Sequence, residues 1–471
     1  MPRARGGRSY HMKMTTGKKI AYGIGAVGKD MVYALSANYV LYYYQDIIGL
    51  SASFVGTILM VARVFDALND PFMGVLVAKT KTRWGRFRPW LFTGTVLNAL
   101  VLYALYAAPV TSESKMMVYF SVVYILWGVT YTMMDIPYWS MIPALTDTQP
   151  ERENLSVVGR TCAGIGAAIM AMGTMMAGGI LGGDSERTGF RYVALIVAVV
   201  FIITELVCCL SVRERETKME NVSVKEMLRA LFHNDQALTV VLTIVMVNMA
   251  LYLTSNFIIY FFKYDFGGAG WKGDYTLFST VGGAFQIVGM MVVYPLLRAR
   301  KIANEKIFRI AVSLALAGYG VLLALVFLGF EHTLYALFVP GIMVFMANGI
   351  LSVLTTVFLS GSVDYGELQN GRREESVIFS MQTFVVKLAS GVAVFLTGIG
   401  IDLIGLVGNT EDTGEIIQQS AETITGLRLL MTVIPILTLI AVFFFFGKKF
   451  KLTDAKMAEI GEVLKERRGE A

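Results

Sequence analysis

The chain has 471 residues, 55% of them hydrophobic and only 16% charged, with a mean hydropathy of +0.60. A soluble protein of this length carries about a quarter charged residues, so the composition excludes a soluble globular domain and describes a polytopic membrane protein. The formal charge of +6 is spread over connections, three cysteines lie in apolar runs without ligand spacing, and no histidine falls inside a span; this argues against a nucleic-acid partner, a metal centre, disulfides and a histidine relay.

Residues 1–19 form a basic tail without the apolar core and cleavage site of a signal peptide. Twelve apolar runs follow, at about 20–46, 53–79, 88–109, 116–145, 155–181, 190–212, 237–262, 274–298, 305–329, 334–363, 374–405 and 425–446, each long enough to span a bilayer. Lys79 to Arg88, Arg213 to Arg229, Arg298 to Lys306, Arg372 with Arg373, and Lys448 to Lys451 share one side with the first tail, and the opposite connections are poor in cations. The positive-inside rule puts that side, and both termini, in the cytoplasm. The polar stretch 213–236 divides the chain into six-helix halves, 20–212 and 237–446, and its Ser223 to Glu226 spacing predicts a short interfacial helix. Residues 447–471 form a charged tail in which Met457, Ile460 and Leu464 predict a cytosolic helix. The fold expected is all-α, with twelve transmembrane helices and a site between the halves near the midplane.

Charges inside spans locate that site, because each costs roughly 3 kcal/mol at mid-membrane and must face protein. Arg63, Asp66, Asn69 and Asp70 fall near one face of the second helix. Two carboxylates and an amide against one guanidinium leave hard oxygens and one negative charge, which suits a small hard cation, whereas an Arg63 to Asp66 pair that only tethers helices is the bland reading. Thr132, Asp135 and Trp139 share a face of the fourth helix, where an aromatic ring beside a carboxylate suits a sugar. Pro137 is expected to interrupt that helix and open a cavity, and Asp135 bridged to Lys29 or Arg160 is the structural alternative. Lys29 and Asp30 diverge on the first helix, so one binds while the other braces. Lys387, with Gln382 and Thr383, is the second half's polar contribution, either binding or bracing. Arg83, Arg86 and Arg88, interleaved with aromatics, read as a cytoplasmic gate element, and Asp364 and Glu367 lie at the cytoplasmic end of the tenth helix.

Gly28 to Asp30, Tyr42 to Tyr44, Asp66 to Pro71, Arg83 to Pro89, Trp127 to Trp139, Asp364 to Glu367 and Gln382 to Lys387 occur in one order at consistent spacing. In these motifs, over nearly all of residues 19–465, the chain resembles the glycoside–pentoside–hexuronide cation symporters of the major facilitator superfamily, most closely the sodium-coupled melibiose permeases. The resemblance implies that Asp66, Asn69, Asp70 and Thr132 surround a coupling cation, and that Lys29, Asp30, Asp135, Trp139, Arg160, Gln382, Thr383 and Lys387 hold or frame the sugar. Arg63, Arg83, Arg86, Arg88, Asp364 and Glu367 are assigned to bracing and gating. Ser352 and Ala37 stand where melibiose permeases carry Trp and Tyr.

The expectation is uptake of a sugar, an α-galactoside such as melibiose, coupled to Na+ (or Li+ or H+) by alternating access in a prokaryotic inner or plasma membrane. It involves no cofactor and no enzymatic step, since no nucleophile–base pair or metal triad is present. A hexuronide, glucuronide or pentoside symporter is the alternative substrate class, and a non-transporting sugar sensor the alternative of another class.

Overall fold

The computed structural model describes residues 14–145, 149–212, 232–268, 270–329, 333–370, 375–408 and 416–468. In hydrocarbon no water pairs with a free N–H or C=O, so each apolar run closes its hydrogen bonds internally as a helix. The long helices among the described residues are α1 (Thr16–Tyr42), α2 (Ala52–Lys79), α3 (Arg88–Tyr106), α4 (Glu113–Ser140), α5 (Gln149–Gly182), α6 (Glu186–Ser211), α7 (Asp235–Tyr260), α8 (Trp271–Val288), α9 (Asn304–Phe327), α10 (Leu334–Asn370), α11 (Glu375–Leu403), α12 (Ala421–Lys449) and α13 (Asp454–Arg468). Among the described residues eleven helical segments, from α2 to α12, are long and apolar enough to cross a membrane. The first span, α1, is diluted by Lys18, Lys19, Lys29 and Asp30, and it is accommodated by packing against α5 and α6 with Lys29 buried.

Local chemistry sets the helix starts. Ser51, Ser185, Asn234 and Ser420 accept from the amides of Phe54, Thr188, Ala237 and Thr423 to cap α2, α6, α7 and α12. Between α2 and α3 the Arg83 to Pro89 motif makes a tight turn. Thr82 Oγ1 accepts from Trp84 N at 3.2 Å and donates to Gly85 O at 2.7 Å. Gly85 turns there at φ 107°, which a side chain would disfavour.

The expected interruption at Pro137 is corrected: α4 runs through it to Ser140 and ends at Met141, whose amide bonds the Pro137 carbonyl. Pro137 lies within the last turn, where a missing ladder bond costs little of the helix that precedes it. The linker prediction at Ser223 to Glu226 lies outside the described residues. The tail helix is present as α13, with Leu452, Ile460 and Leu464 buried against Tyr365 and Leu368 of α10. Asp454 ties it to Arg298 and, at 2.9 Å, to Asn304 Nδ2.

The halves α1–α6 and α7–α12 meet along two helix pairs, α2 with α11 and α5 with α8. Small residues permit the first crossing: a Cβ on Gly398 would fall 2.3 Å from the Ala52 carbonyl oxygen. One core holds most of the first half together with Phe257, Tyr260, Trp271, Ile401 and Leu427 of the second, all near the end bearing the α1–α2 and α11–α12 connections. Another core lies wholly within the second half. Contact along α2 continues from Ala52 to Asp70, beyond which Phe72 is exposed. The two halves are thus packed and cross-linked at the end bearing the α1–α2 and α11–α12 connections.

Candidate functional site

In the first half, α1, α4 and α5 converge on Lys29, which is 2% exposed. Its Nζ lies 2.7 Å from Asp135 Oδ1 and 2.9 Å from Asp30 Oδ2, and it donates to Tyr131 Oη at 3.2 Å. Three aromatic faces, Tyr131, Tyr138 and Trp139, surround the ammonium. Trp139 Nε1 donates to the same Asp135 oxygen at 3.1 Å, and the Arg160 guanidinium stacks on the Trp139 ring at 4.3 Å. Lys29 therefore ties Asp135 and Asp30 together through one ammonium. Arg160 reaches the indole, not the carboxylate, and stays exposed. Flat aromatic surface, a carboxylate and two cations here can pack C–H faces and bond hydroxyl or acidic groups.

The second group forms where α2 meets α4 and α11. Asp70 Oδ1 accepts from Thr132 at 3.3 Å, and its Oδ2 is paired with Lys387 of α11. Asp66 is 7% exposed and its Oδ1 has no hydrogen-bond partner. A Cβ on Gly128 would lie 2.5 Å from that oxygen, so only glycine leaves room for it against α4. Asn69 sits half-buried one turn along. Arg63 does not close on Asp66; it lies over the Tyr33 ring at 5.2 Å, which removes the simple tether reading. Lys387 belongs with this group in space, although its sequence neighbours suggested the sugar side. The oxygens that the structure brings together are those of two carboxylates and a hydroxyl, with Asn69 on the same helix as the carboxylates, and no cluster of three or more His, Cys, Asp or Glu occurs among the described residues. That set matches a hard monovalent cation better than a transition metal.

At the closed end lies a charged network that sequence reasoning missed. Five-residue and six-residue π-helical turns, Tyr43–Ile47 after α1 and Phe261–Phe266 after α7, occupy equivalent places in the two halves and face each other. Asp46, fully buried, accepts from Lys263 Nζ at 2.6 Å and from Tyr264 Oη. Glu186 accepts from Tyr42 Oη at 2.7 Å and pairs with Lys272 at 2.9 Å and Lys263 at 3.5 Å. Asp402 of α11 accepts from Ser51 Oγ at 2.8 Å and from the amides of Ala52 and Ser53, so the second half caps a helix of the first. The available signal was charge at span ends beside aromatic runs, Tyr42 to Asp46 and Lys263 to Asp265.

The remaining expected residues scatter. Arg83 is exposed in the α2–α3 turn, Arg86 and Glu367 are half-buried, and Arg88 opens α3 with Nε and Nη2 buried without a hydrogen-bond partner. Asp364 lines a cavity of about 540 Å³ with Arg298, Asn304, Asp454 and Met457 beneath α13, away from both polar groups. The side chains of Gln382 and Thr383 lie outside the described ones.

Two six-helix halves, joined at one end and carrying buried polar groups where α1, α4 and α5 converge and where α2 meets α11, are the architecture of a secondary membrane transporter. A family model described as MFS/sugar transport protein matches residues 21–454, and the chain belongs to that family, within its glycoside–pentoside–hexuronide cation symporters. It is 28% identical over 455 residues to the isoprimeverose transporter of Lactiplantibacillus pentosus, covering 94% of this chain and 91% of that protein. It is 28% identical over 491 residues to the lactose permease of Lactobacillus delbrueckii subsp. bulgaricus, covering 98% of this chain and 74% of that one. Among solved structures, the inward-facing, unoccupied bacterial homologue of the lysosomal transporter Spinster superimposes with a TM-score of 0.66 at 12% identity, covering 93% of this chain and 96% of that one. The protein is a sugar–cation symporter.

Proposed function

We propose that the coupling cation is sodium and the cargo a neutral glycoside, an α-galactoside such as melibiose, taken up across a prokaryotic inner membrane with both termini cytoplasmic. The observation that carries the sodium reading is the buried Asp66 oxygen without a donor, adjacent to Asp70 and Thr132. A cation entering there takes oxygens from Asp66, Asn69, Asp70 and Thr132 and releases Lys387 from Asp70. The sugar packs on Trp139 and bonds Asp135, Asp30, Lys29 and Arg160, with Gln382 and Thr383 completing the frame from α11. Basic connections put the opposite end in the cytoplasm, so the latch of Asp46, Lys263, Glu186, Lys272 and Asp402 closes the outer end and must open when the halves rock. Arg63, Arg83, Arg86, Arg88, Asp364 and Glu367 brace helices and the inner gate.

Because sugar and cation share one equilibrium, each tightens the other by the same factor. Replacing Asp70 with Cys and measuring sugar binding with and without sodium tests the site; the expected result is loss of sodium stimulation, and undiminished stimulation removes Asp70 from it. A second reading is favoured by Arg160, whose guanidinium has no ion-pair partner among the described residues and is exposed. An acidic sugar could bring its carboxylate there. Competition between melibiose and a glucuronide for uptake separates the two, with displacement by the glucuronide alone supporting a hexuronide carrier.

A further inference from the structure

Glu205 lies on α6 and is 1% exposed, and neither of its carboxyl oxygens has a hydrogen-bond partner. A Cβ built on Gly25 would fall 3.3 Å from its Oε2, so the carboxyl rests on bare α1 backbone one helical turn before Lys29. The titratable groups that face it are Tyr22, Lys29 and Asp30 from α1, Asp135 and Tyr138 from α4, and Cys208 on its own helix. From α3, Arg88 faces Cys208, and α5 presents no charged residue to it among the described ones.

Lys29 is the single cation in reach, and it is already held by Asp135 at 2.7 Å and Asp30 at 2.9 Å. An ionised Glu205 would place a third negative charge on one ammonium, without a donor for its own oxygens. A neutral acid avoids both costs. We propose that Glu205 is a proton-binding site, filled in this conformation and in exchange with solvent at the partly exposed Asp30 and Asp135 side chains beside Lys29. On release, the carboxyl O–H bond breaks, the proton passes to that solvent, and the carboxylate left behind draws the Lys29 ammonium down its own turn, away from Asp135. The site is separate from the Asp66 and Asp70 group, and its test needs neither a sugar nor a coupling cation, so it stands or falls apart from the sodium reading.

The test is infrared spectroscopy of the ligand-free full chain in lipid vesicles at neutral pH. The expected result is a high-frequency carbonyl stretch of an acid without a hydrogen-bond partner, which shifts when glutamate carboxyl carbon is isotopically labelled, shifts again in heavy water, fades as pH rises, and is absent from Glu205→Gln. Should that variant fail to fold, the glutamate label in the native chain carries the measurement. No such band, a band indifferent to the label, one that survives in Glu205→Gln, or one that heavy water leaves in place each overturns the proposal.

Discussion

Replacing Asp46 with Asn keeps the size of the side chain and deletes its charge. Asp46 is fully buried and takes bonds from Lys263 and Tyr264 across the two halves, so the substitution removes a charge-assisted bond and leaves the Lys263 ammonium, 2% exposed, beside a neutral amide. A hydrogen bond to a charged group contributes about 1.5–3 kcal/mol, and stranding one member of a buried pair costs about 3–5 kcal/mol. Glu186 stays 3.5 Å from Lys263 and recovers part of that, which leaves a net loss of about 2–3 kcal/mol for the closed end. Both groups are hydrated once the halves part, so the loss falls on one conformation and shifts the equilibrium by about 30- to 150-fold toward opening. Spin labels at Val110 and Val407, exposed at this end on opposite halves, report it as a pair distance. The native cysteines 162, 208 and 209 are first replaced. The expected outcome is a second, longer distance population in Asp46→Asn; a distribution identical to the parent refutes the latch.

Three further outcomes follow from the geometry. Asp135→Asn loses the Lys29 bridge and the charged acceptor proposed for sugar hydroxyls, so sugar affinity in equilibrium binding is expected to fall by about 10- to 100-fold, and near-native affinity would remove Asp135 from the sugar contacts. Gly398→Val places a side chain where the Ala52 carbonyl lies 2.3 Å from the first added carbon; thermal unfolding in detergent should show a loss of about 1–3 kcal/mol, whereas unchanged stability would mean that α2 and α11 do not cross this closely. Asp454→Ala frees α13 from Arg298 and Asn304, and limited proteolysis should cut the tail faster with transport intact, against the reasoning if the cleavage rate does not change.

Hydropathy and basic-residue asymmetry made the twelve spans and their grouping into halves legible, because a bilayer admits few backbones and the length of an apolar run is local information. Helical spacing likewise put Asp66 with Asp70 and Asp135 with Trp139, since residues three or four apart share a face whatever the rest of the chain does. What α2 presents to α11 is another matter. That Lys387 neutralises Asp70 and that Asp402 caps α2 depend on residues more than 300 positions apart meeting across a crossing that glycines permit, and that Arg63 turns to Tyr33 and leaves Asp66 short of a donor depends on how α1 packs beside α2. Asp46 and Lys263 looked like ordinary span-end charges in the chain. Only packing two π-helical turns face to face buries them, and burial is what turns a solvated charge into one that must find its opposite.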